Sequence, residues 1–149
     1  MRSGTPLPSL DGVERWYNQP PAAHELDGHP TLVHFWSVSC GLCKEALPKV
    51  NEWRTAYEDR GLKVVGVHQP RSEADLEREP VEAIIHEHRL EHPQAADDDY
   101  ILVDRFENKF VPAYYIFDRE GKLRHFQAGD AGVQMIDDAL VRVVGLPSG

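Results

Sequence analysis

The chain contains only two cysteines, three residues apart, directly after a segment with the composition of a buried strand. Thr31 to Ser37 (TLVHFWS) is rich in β-branched and aromatic residues, which predicts a strand. After Cys40-Gly-Leu-Cys43, apolar side chains recur at steps of three and four, which predicts a helix from about Gly41 to Asp59. A strand that leads through a Cys-x-x-Cys pair into a helix is the feature that most restricts the possible folds.

The remaining apolar patterns alternate between strand and helix. Strands are predicted at Leu62 to Val67, Tyr100 to Val103, Ala113 to Phe117 and Lys122 to Gln127, and helices at Pro80 to Leu90 and Val133 to Val144, with a single helical turn at Phe106 to Phe110. This order predicts an α/β fold with a mixed central sheet and helices on both faces. In such a fold Cys40 lies at the carboxyl edge of the sheet, where functional sites are common.

Length and composition limit the classes of partner. The 149 residues are predicted to form one domain, with residues 1–10 and 146–149 loose. The formal net charge is −9 and no cluster of lysine and arginine is present, so neither nucleic acid nor a membrane is expected as a partner. No apolar run has the length of a signal peptide or a membrane span, and a cytoplasmic location is expected.

The Cys-x-x-Cys pair indicates redox chemistry rather than a metal site. A cysteine at the start of a helix is close to free backbone N–H groups, which favour the thiolate, so Cys40 is predicted to be an exposed nucleophile and Cys43 a more buried resolving thiol. A zinc site would need two more ligands, and the histidines are scattered along the chain. His86, His88 and His92 are expected on a solvated helix face. His68, at the end of the second strand, could approach the same edge of the sheet as the cysteines, but is expected to be a loop histidine.

With these motifs in place, the chain resembles the thioredoxin superfamily, and within it the TlpA/ResA-like thiol-disulfide oxidoreductases. The resemblance covers about Gly28 to Gly145 and rests on TLVHFW leading into CGLC, on Pro48 in the following helix and on VPAYYIFDREGKL. It implies a thioredoxin-like fold with an extra helix–strand insertion between Val67 and Asp104. It also implies that Pro112 is the family's cis-proline and that the backbone of Val111 pairs with an extended substrate.

Three residues near the cysteines depart from the family pattern. Ser39 stands where the family usually has tryptophan, Leu42 where it has proline, and Ala113 where it commonly has threonine. The position of Leu42 affects the helix start and therefore the reduction potential. Ser39, Gly41, Leu42 and Val111 are the candidate substrate-binding residues, but the substrate preference of relatives does not transfer directly.

His34 occupies the position of the buried acid in thioredoxin itself. An imidazole could take the proton from Cys43, because its unperturbed pKa is about 6.5. The alternative is a core histidine that is hydrogen-bonded for packing. Both interpretations stand on the sequence alone, and the candidate catalytic residues are therefore Cys40, Cys43, Pro112 and His34.

Three functions are compatible with the sequence. The first is a thiol-disulfide oxidoreductase that acts on disulfide-containing proteins or small thiols; with no nucleotide- or flavin-binding glycine motif, it needs no cofactor and takes electrons from a separate reductant. The second is a thiol peroxidase of the AhpC/TSA type, in which Ser37 fits the P-x-x-x-T/S-x-x-C motif but Val33 replaces its proline. The third is a copper-binding or adaptor module without turnover.

Overall fold

A computed structural model describes residues 1–129 and 133–147. Its strands are β1 Arg15–Tyr17, β2 Thr31–Trp36, β3 Lys63–His68, β4 Gln94–Ala96, β5 Ala113–Phe117 and β6 Leu123–Ala128. Its helices are α1 Gly41–Ala56, α2 Arg78–Glu87, α3 Ile101–Phe106 and α4 Val133–Val144, with short 3-10 turns at Glu58–Arg60 and Glu73–Leu76. No helix among these residues is long and apolar enough to cross a bilayer.

The six strands form one mixed sheet in the order β1-β4-β3-β2-β5-β6. The central strands β2, β3 and β4 run parallel, while β1 pairs antiparallel with β4, β5 with β2, and β6 with β5. The parallel core follows from the crossover connections through α1 and α2. These crossovers bring the carboxyl ends of β2 and β3 to the same edge of the sheet, where α1 begins.

Both faces of the sheet are covered by helices, as the sequence predicts. Leu32, on β2, packs in a core cluster with Trp53 of α1 and Ile136 of α4. The neighbouring Val33 packs in a second cluster with Leu102 of α3 and the amino-terminal segment. Because successive side chains of a strand point to opposite faces, β2 divides the core into these two layers.

Several predicted boundaries agree closely with the structure. The predicted helix Val133 to Val144 matches α4, and the predicted hairpin strands match β5 and β6 to within one residue. The long helix after the cysteines ends at Ala56 and continues as a 3-10 turn, and Gly61 follows at φ +84°, a conformation that favours glycine. Pro48 lies within α1, as expected.

The insertion between Val67 and Asp104 is present, but its strand was wrongly located. The strand is β4 at Gln94–Ala96, and the predicted strand at Tyr100 to Val103 is the start of helix α3. The predicted turn at Phe106 to Phe110 is also wrong, because α3 ends at Phe106. The physical reason is Asp97: its carboxylate oxygens accept hydrogen bonds from the amides of Leu102 (3.0 Å) and Val103 (2.8 Å), which stabilises the first turn of α3.

The amino-terminal region contributes structure that the sequence patterns did not reveal. β1 is a three-residue edge strand held to β4. The sequence predicts that residues 1–10 are loose; in the structure the amide of Gly4 donates to the carbonyl of Leu123 (2.7 Å) and the amide of Leu7 to that of Gly121 (2.8 Å). Of the predicted loose tail, residues 148–149 lie outside the described part.

Candidate active site around Cys40 and Cys43

Cys40 and Cys43 form a disulfide at the amino terminus of α1. Cys40 is the N-cap residue with an extended backbone, and its Sγ accepts a hydrogen bond from the amide of Cys43 at 3.1 Å. The two Cα atoms are 5.2 Å apart. The same amide and the helix dipole would stabilise a thiolate on Cys40 after reduction.

In this oxidised state neither cysteine is exposed. Cys40 is 4% exposed and Cys43 is 1% exposed, so the prediction of an exposed Cys40 is wrong for the disulfide form. The sulfur of Cys40 is covered by its bond to Cys43 and by the carbonyl oxygen of Val111, which lies 4.0 Å away. The residues between the cysteines, Gly41 and Leu42, are exposed and mark the open side of the pair.

The segment before β5 brings Val111 and Pro112 against Cys40. The Val111–Pro112 peptide bond is cis, Pro112 is buried and Val111 is half-buried. Asn108 anchors this segment: its amide nitrogen donates to the carbonyl of Phe110 (2.9 Å) and to the side chain of Gln69 (2.8 Å). The Tyr115 hydroxyl donates to the amide oxygen of the same Asn108 (2.8 Å). No motif in the sequence indicates this buried anchor.

Apolar side chains occur in the two segments that meet at the disulfide. Phe110 is 70% exposed and Leu42 is 45% exposed, and Val38 and Val111 are half-buried. Exposed apolar side chains grouped around a reactive centre are typical of a binding surface. We call these four residues the apolar rim.

Five residues hold the loop before Cys40 through hydrogen bonds. We call them the loop clamp: Ser37, Ser39, His68, Arg71 and Asp75. Asp75 Oδ2 accepts hydrogen bonds from Ser37 Oγ (2.9 Å), Ser39 Oγ (2.6 Å) and the Arg71 amide (2.9 Å). Burial raises the pKa of Asp75, but these hydrogen bonds outweigh it and hold the pKa below its usual value. Asp75 is therefore an ionised, buried carboxylate.

Arg71 and His68 complete the loop clamp from the end of β3. The Arg71 guanidinium donates to the Ser39 carbonyl (2.6 Å) and to its Oγ (3.1 Å), and His68 Nε2 accepts from the Val38 amide (3.1 Å). Burial lowers the pKa of His68 to about 4. The prediction of a loop histidine is wrong, because His68 is the last residue of β3 and is 1% exposed. Asp75 and Arg71 were not predicted as site residues, because they are far from the cysteines in sequence.

A second polar group lies entirely inside the protein, and we call it the buried network: His34, Trp36, His92 and Gln94. His34 Nε2 is 2.8 Å from His92 Nε2, Gln94 Nε2 is 2.8 Å from the same atom, and Trp36 Nε1 donates to Gln94 Oε1 at 2.8 Å. His86 is exposed and His88 half-buried, but His92 is 5% exposed, so its predicted solvated position is wrong. His92 follows α2, and its ring is buried in the core, where it contacts His34.

The buried network is electrically neutral. Burial lowers the pKa of His34 to about 3 and that of His92 well below its ordinary value. Around the site and elsewhere in residues 1–129 and 133–147, no group of three or more histidine, cysteine or acidic side chains is placed to hold a metal ion. The site therefore combines a redox-active cysteine pair with an ionised carboxylate in the loop clamp and two neutral imidazoles in the buried network.

Comparison with known proteins agrees with this geometry. The AhpC/TSA family model matches residues 5–126. Thiol-disulfide oxidoreductase YkuV of Bacillus subtilis is 48% identical over 145 residues, which is 97% of both chains. Protein DipZ of Mycobacterium tuberculosis is 35% identical over 141 residues, 91% of this chain but 20% of that protein. A solved structure of a thioredoxin-like protein in the oxidised form has 48% identity, 97% coverage of both chains and a TM-score of 0.87.

The chain therefore belongs to the AhpC/TSA family, in the TlpA/ResA branch of its thioredoxin-like members. The predicted thioredoxin-like fold and the predicted thiol-disulfide oxidoreductase activity are both confirmed. The two positions compared with the peroxidase motif make other contacts in this structure. The Ser37 hydroxyl donates to Asp75, and Val33 packs in the core cluster that contains α3.

Proposed function

We propose that Cys40 is the attacking cysteine and Cys43 the resolving cysteine of a disulfide reductase. The Cys40 thiolate attacks a substrate disulfide, forms a mixed disulfide and releases one substrate thiolate. Cys43 then loses its proton and attacks Cys40 Sγ, which releases the second substrate thiolate and forms the Cys40–Cys43 disulfide. The observation that carries this assignment is the hydrogen bond from the Cys43 amide to Cys40 Sγ, which favours charge on Cys40.

The substrate is proposed to bind as an extended segment across the apolar rim. The Val111 carbonyl lies beside Cys40 Sγ, so a substrate chain paired with the Val111 backbone would bring its own sulfur to Cys40. Leu42 and Phe110 offer exposed apolar contacts, and Gly41 and Ser39 are exposed on either side of Cys40 in the chain. Pro112, buried next to Val111, fixes this backbone. Disulfide-containing proteins and small disulfides both fit such an open surface.

The source of electrons is proposed to be a separate protein or small thiol in the cytoplasm. Both cysteines of the chain belong to the redox pair, so no structural disulfide requires an oxidising compartment. A reductase in a reducing compartment needs a low reduction potential, and we expect a value near that of thioredoxin, about −270 mV. A titration against dithiothreitol that gives a potential near −120 mV would contradict this proposal, because that value is typical of an oxidant.

His34 is proposed to receive the proton that Cys43 loses in the resolving step. On β2, Leu32 packs against α1 residues such as Val50, and Trp36 packs in the cluster that contains both cysteines. His34 lies between them on the same face of the sheet and therefore beneath α1. An imidazole at this place can accept a proton where the thioredoxins use a carboxylate, and because burial lowers the pKa of His34 to about 3, it holds that proton only in passing.

Trapping experiments test the division of roles. Cys43→Ser is expected to accumulate a stable mixed disulfide through Cys40 with a peptide disulfide, whereas Cys40→Ser is expected to form none. Mass spectrometry under non-reducing conditions measures both adducts. Equal adduct formation on the two variants, or an adduct on Cys43 alone, would contradict the assignment.

A further inference from the structure

Two opposite charges of the loop clamp meet at Ser39, the residue directly before Cys40. The Ser39 hydroxyl donates to Asp75 Oδ2 at 2.6 Å. The Arg71 guanidinium donates to the Ser39 hydroxyl at 3.1 Å and to the Ser39 carbonyl at 2.6 Å. That carbonyl belongs to the peptide bond that joins Ser39 to Cys40. A carboxylate and a guanidinium therefore both contact the residue next to the attacking cysteine.

The carboxylate is the stronger of these two charges. Burial raises the pKa of Asp75, but hydrogen bonds from the two serine hydroxyls and the Arg71 amide outweigh burial and keep the group ionised. Asp75 is 4% exposed, so little water screens its charge from its neighbours. The Arg71 side chain is exposed, and solvent and salt weaken its effect.

A charge beside Cys40 acts on only one side of the redox equilibrium. The disulfide is uncharged, whereas the reduced pair carries a negative charge once the Cys40 thiol has lost its proton. A nearby carboxylate raises the free energy of this thiolate, and a nearby guanidinium lowers it. Because a less stable reduced form means a lower reduction potential, each charge shifts the potential in a known direction.

We propose that Asp75 keeps the reduction potential of the Cys40–Cys43 pair low by opposing the Cys40 thiolate, and that Arg71 partly offsets this effect. Both act on Cys40 from their contacts with Ser39 and are therefore positioning residues. The inference rests on the proposed role of Cys40 as the attacking thiolate. It adds a cause for a low potential, because the Cys43 amide and the helix dipole alone stabilise the thiolate and raise the potential.

The other titratable groups near Cys40 are neutral or screened. His34 and His68 are neutral at pH 7, because burial lowers their pKa values to about 3 and about 4. The remaining charged side chains of the neighbouring segments are half-buried or exposed: Lys44, Glu45, Glu73, Glu107 and Lys109. These groups are the same in every variant below, so differences between variants report on Asp75 and Arg71.

The first test titrates the Cys40 thiol alone, in a Cys43→Ser background, through the pH dependence of its alkylation by iodoacetamide. Adding Asp75→Asn, which keeps an acceptor oxygen for the serines, should lower the midpoint by about one pH unit. Adding Arg71→Gln, which keeps a donor for Ser39, should raise the midpoint by a smaller amount. A purely structural loosening of the loop would shift both midpoints in the same direction.

The second test measures the potential of the protein with both cysteines against glutathione. The reduced pair and one glutathione disulfide give the Cys40–Cys43 disulfide and two glutathione thiols. Above the Cys40 pKa of the wild type, Asp75→Asn should favour the reduced form about tenfold, a rise of about 30 mV, and Arg71→Gln should lower the potential. At a pH below the Cys40 pKa of every variant the thiol is neutral, and these differences should vanish.

Matched controls are available at the turn between β5 and β6. Asp118 accepts hydrogen bonds from the amides of Glu120 (2.9 Å) and Lys122 (3.0 Å) and from the Arg124 side chain (2.6 Å). It follows the end of β5 that pairs with the start of β2, whereas Cys40 follows the end of β2. Asp118→Asn and Arg124→Gln make the same changes of net charge and should leave the midpoint and the potential unchanged.

An unchanged Cys40 midpoint in Asp75→Asn, or shifts of the same sign in Asp75→Asn and Arg71→Gln, would overturn the inference while leaving the roles of Cys40 and Cys43 intact. Arg71→Gln changes only an exposed side chain, so it tests the sign of the effect even if Asp75→Asn weakens the fold. An equal shift in Asp118→Asn would assign the effect to net charge and would also overturn the inference. Failure of Cys43→Ser to form the mixed disulfide would instead contradict the proposed function.

Discussion

The loop clamp and the buried network both include residues that pack near the two cysteines, but one contains a charge and the other is neutral. The loop clamp contains an ionised carboxylate, Asp75, whose charge is stabilised by three hydrogen bonds, from the Ser37 and Ser39 hydroxyls and the Arg71 amide. The buried network contains no charge at neutral pH. A charged acceptor can fix a loop through its hydrogen bonds, whereas neutral imidazoles place no charge in the core.

We expect each region to act on a different step of exchange. The loop clamp holds the backbone of Val38 and Ser39, directly before Cys40, and is therefore expected to affect the attack by Cys40. The buried network contains His34, which is proposed to receive the proton of Cys43. The following predictions separate the two regions.

Asp75→Ala should have the largest effect on stability, about 3 kcal/mol, because it leaves Ser37 and the Arg71 amide without their buried acceptor. Urea unfolding of the oxidised protein measures it. Asp99→Ala, at an exposed position, is the control and should change the free energy of unfolding by less than about 0.5 kcal/mol. A similar small change in Asp75→Ala would show that the loop clamp does not stabilise the fold.

Acidification should destabilise the protein through its buried neutral histidines. The folded-state pKa of His68 is lowered to about 4, so its contribution is complete above pH 6.5 and is lost as the pH falls toward 4. Between pH 7 and pH 5 we expect a loss of about 2 kcal/mol for this one residue. His68→Gln should reduce the pH dependence of urea unfolding by that amount, and an unchanged slope would contradict the assignment.

Gly66→Ala should cost about 1 to 2 kcal/mol, because the new Cβ would displace the Gln94 side chain from the buried network. Gly41→Ala is the matched control: Gly41 begins α1 with nothing within 4 Å of an added Cβ, so the same substitution should be neutral or slightly stabilising. Thermal unfolding of both variants measures the difference. Equal stabilities would mean that the buried network tolerates the added methyl group.

Phe110→Ala should have the smallest effect, about a fivefold loss of kcat/KM for a protein substrate with little change in stability, because Phe110 is exposed in the apolar rim. Phe126→Ala is the control at an exposed phenylalanine on β6, and should leave kcat/KM unchanged. Insulin-disulfide reduction provides the assay. A loss of equal size in both variants would argue against the apolar rim as the substrate surface.

The sequence predicts the elements that depend on local apolar patterns, and it does not predict those that depend on specific side-chain contacts. The strand before Cys40, helix α4 and the β5–β6 hairpin are specified by local apolar periodicity, and these were located within a few residues. Helix α3 was mistaken for a strand because the decisive interaction is the Asp97 carboxylate, which caps it from outside the apolar pattern. Propensity alone does not show such a cap when the acidic residues look like a solvated turn.

In the candidate site, too, contacts between residues distant in sequence were not predicted. Cys40, Cys43 and the Val111–Pro112 segment were found from motifs, and their roles remain predictions. Asp75 and His92 were missed because their partners, Ser37, Ser39 and His34, are distant in sequence and meet them only when β2 and the segments after β3 and α2 come together. A buried histidine and an exposed one look alike in a single sequence.

The most direct test of this division is stopped-flow measurement of the two exchange steps with a fluorescent peptide disulfide, in wild type, Asp75→Asn and His92→Gln. We expect Asp75→Asn to change only the rate of mixed-disulfide formation at Cys40. We expect His92→Gln, which removes the imidazole that contacts His34, to slow only product release by Cys43. Parallel changes of both rates in both variants would contradict the separate roles of the loop clamp and the buried network.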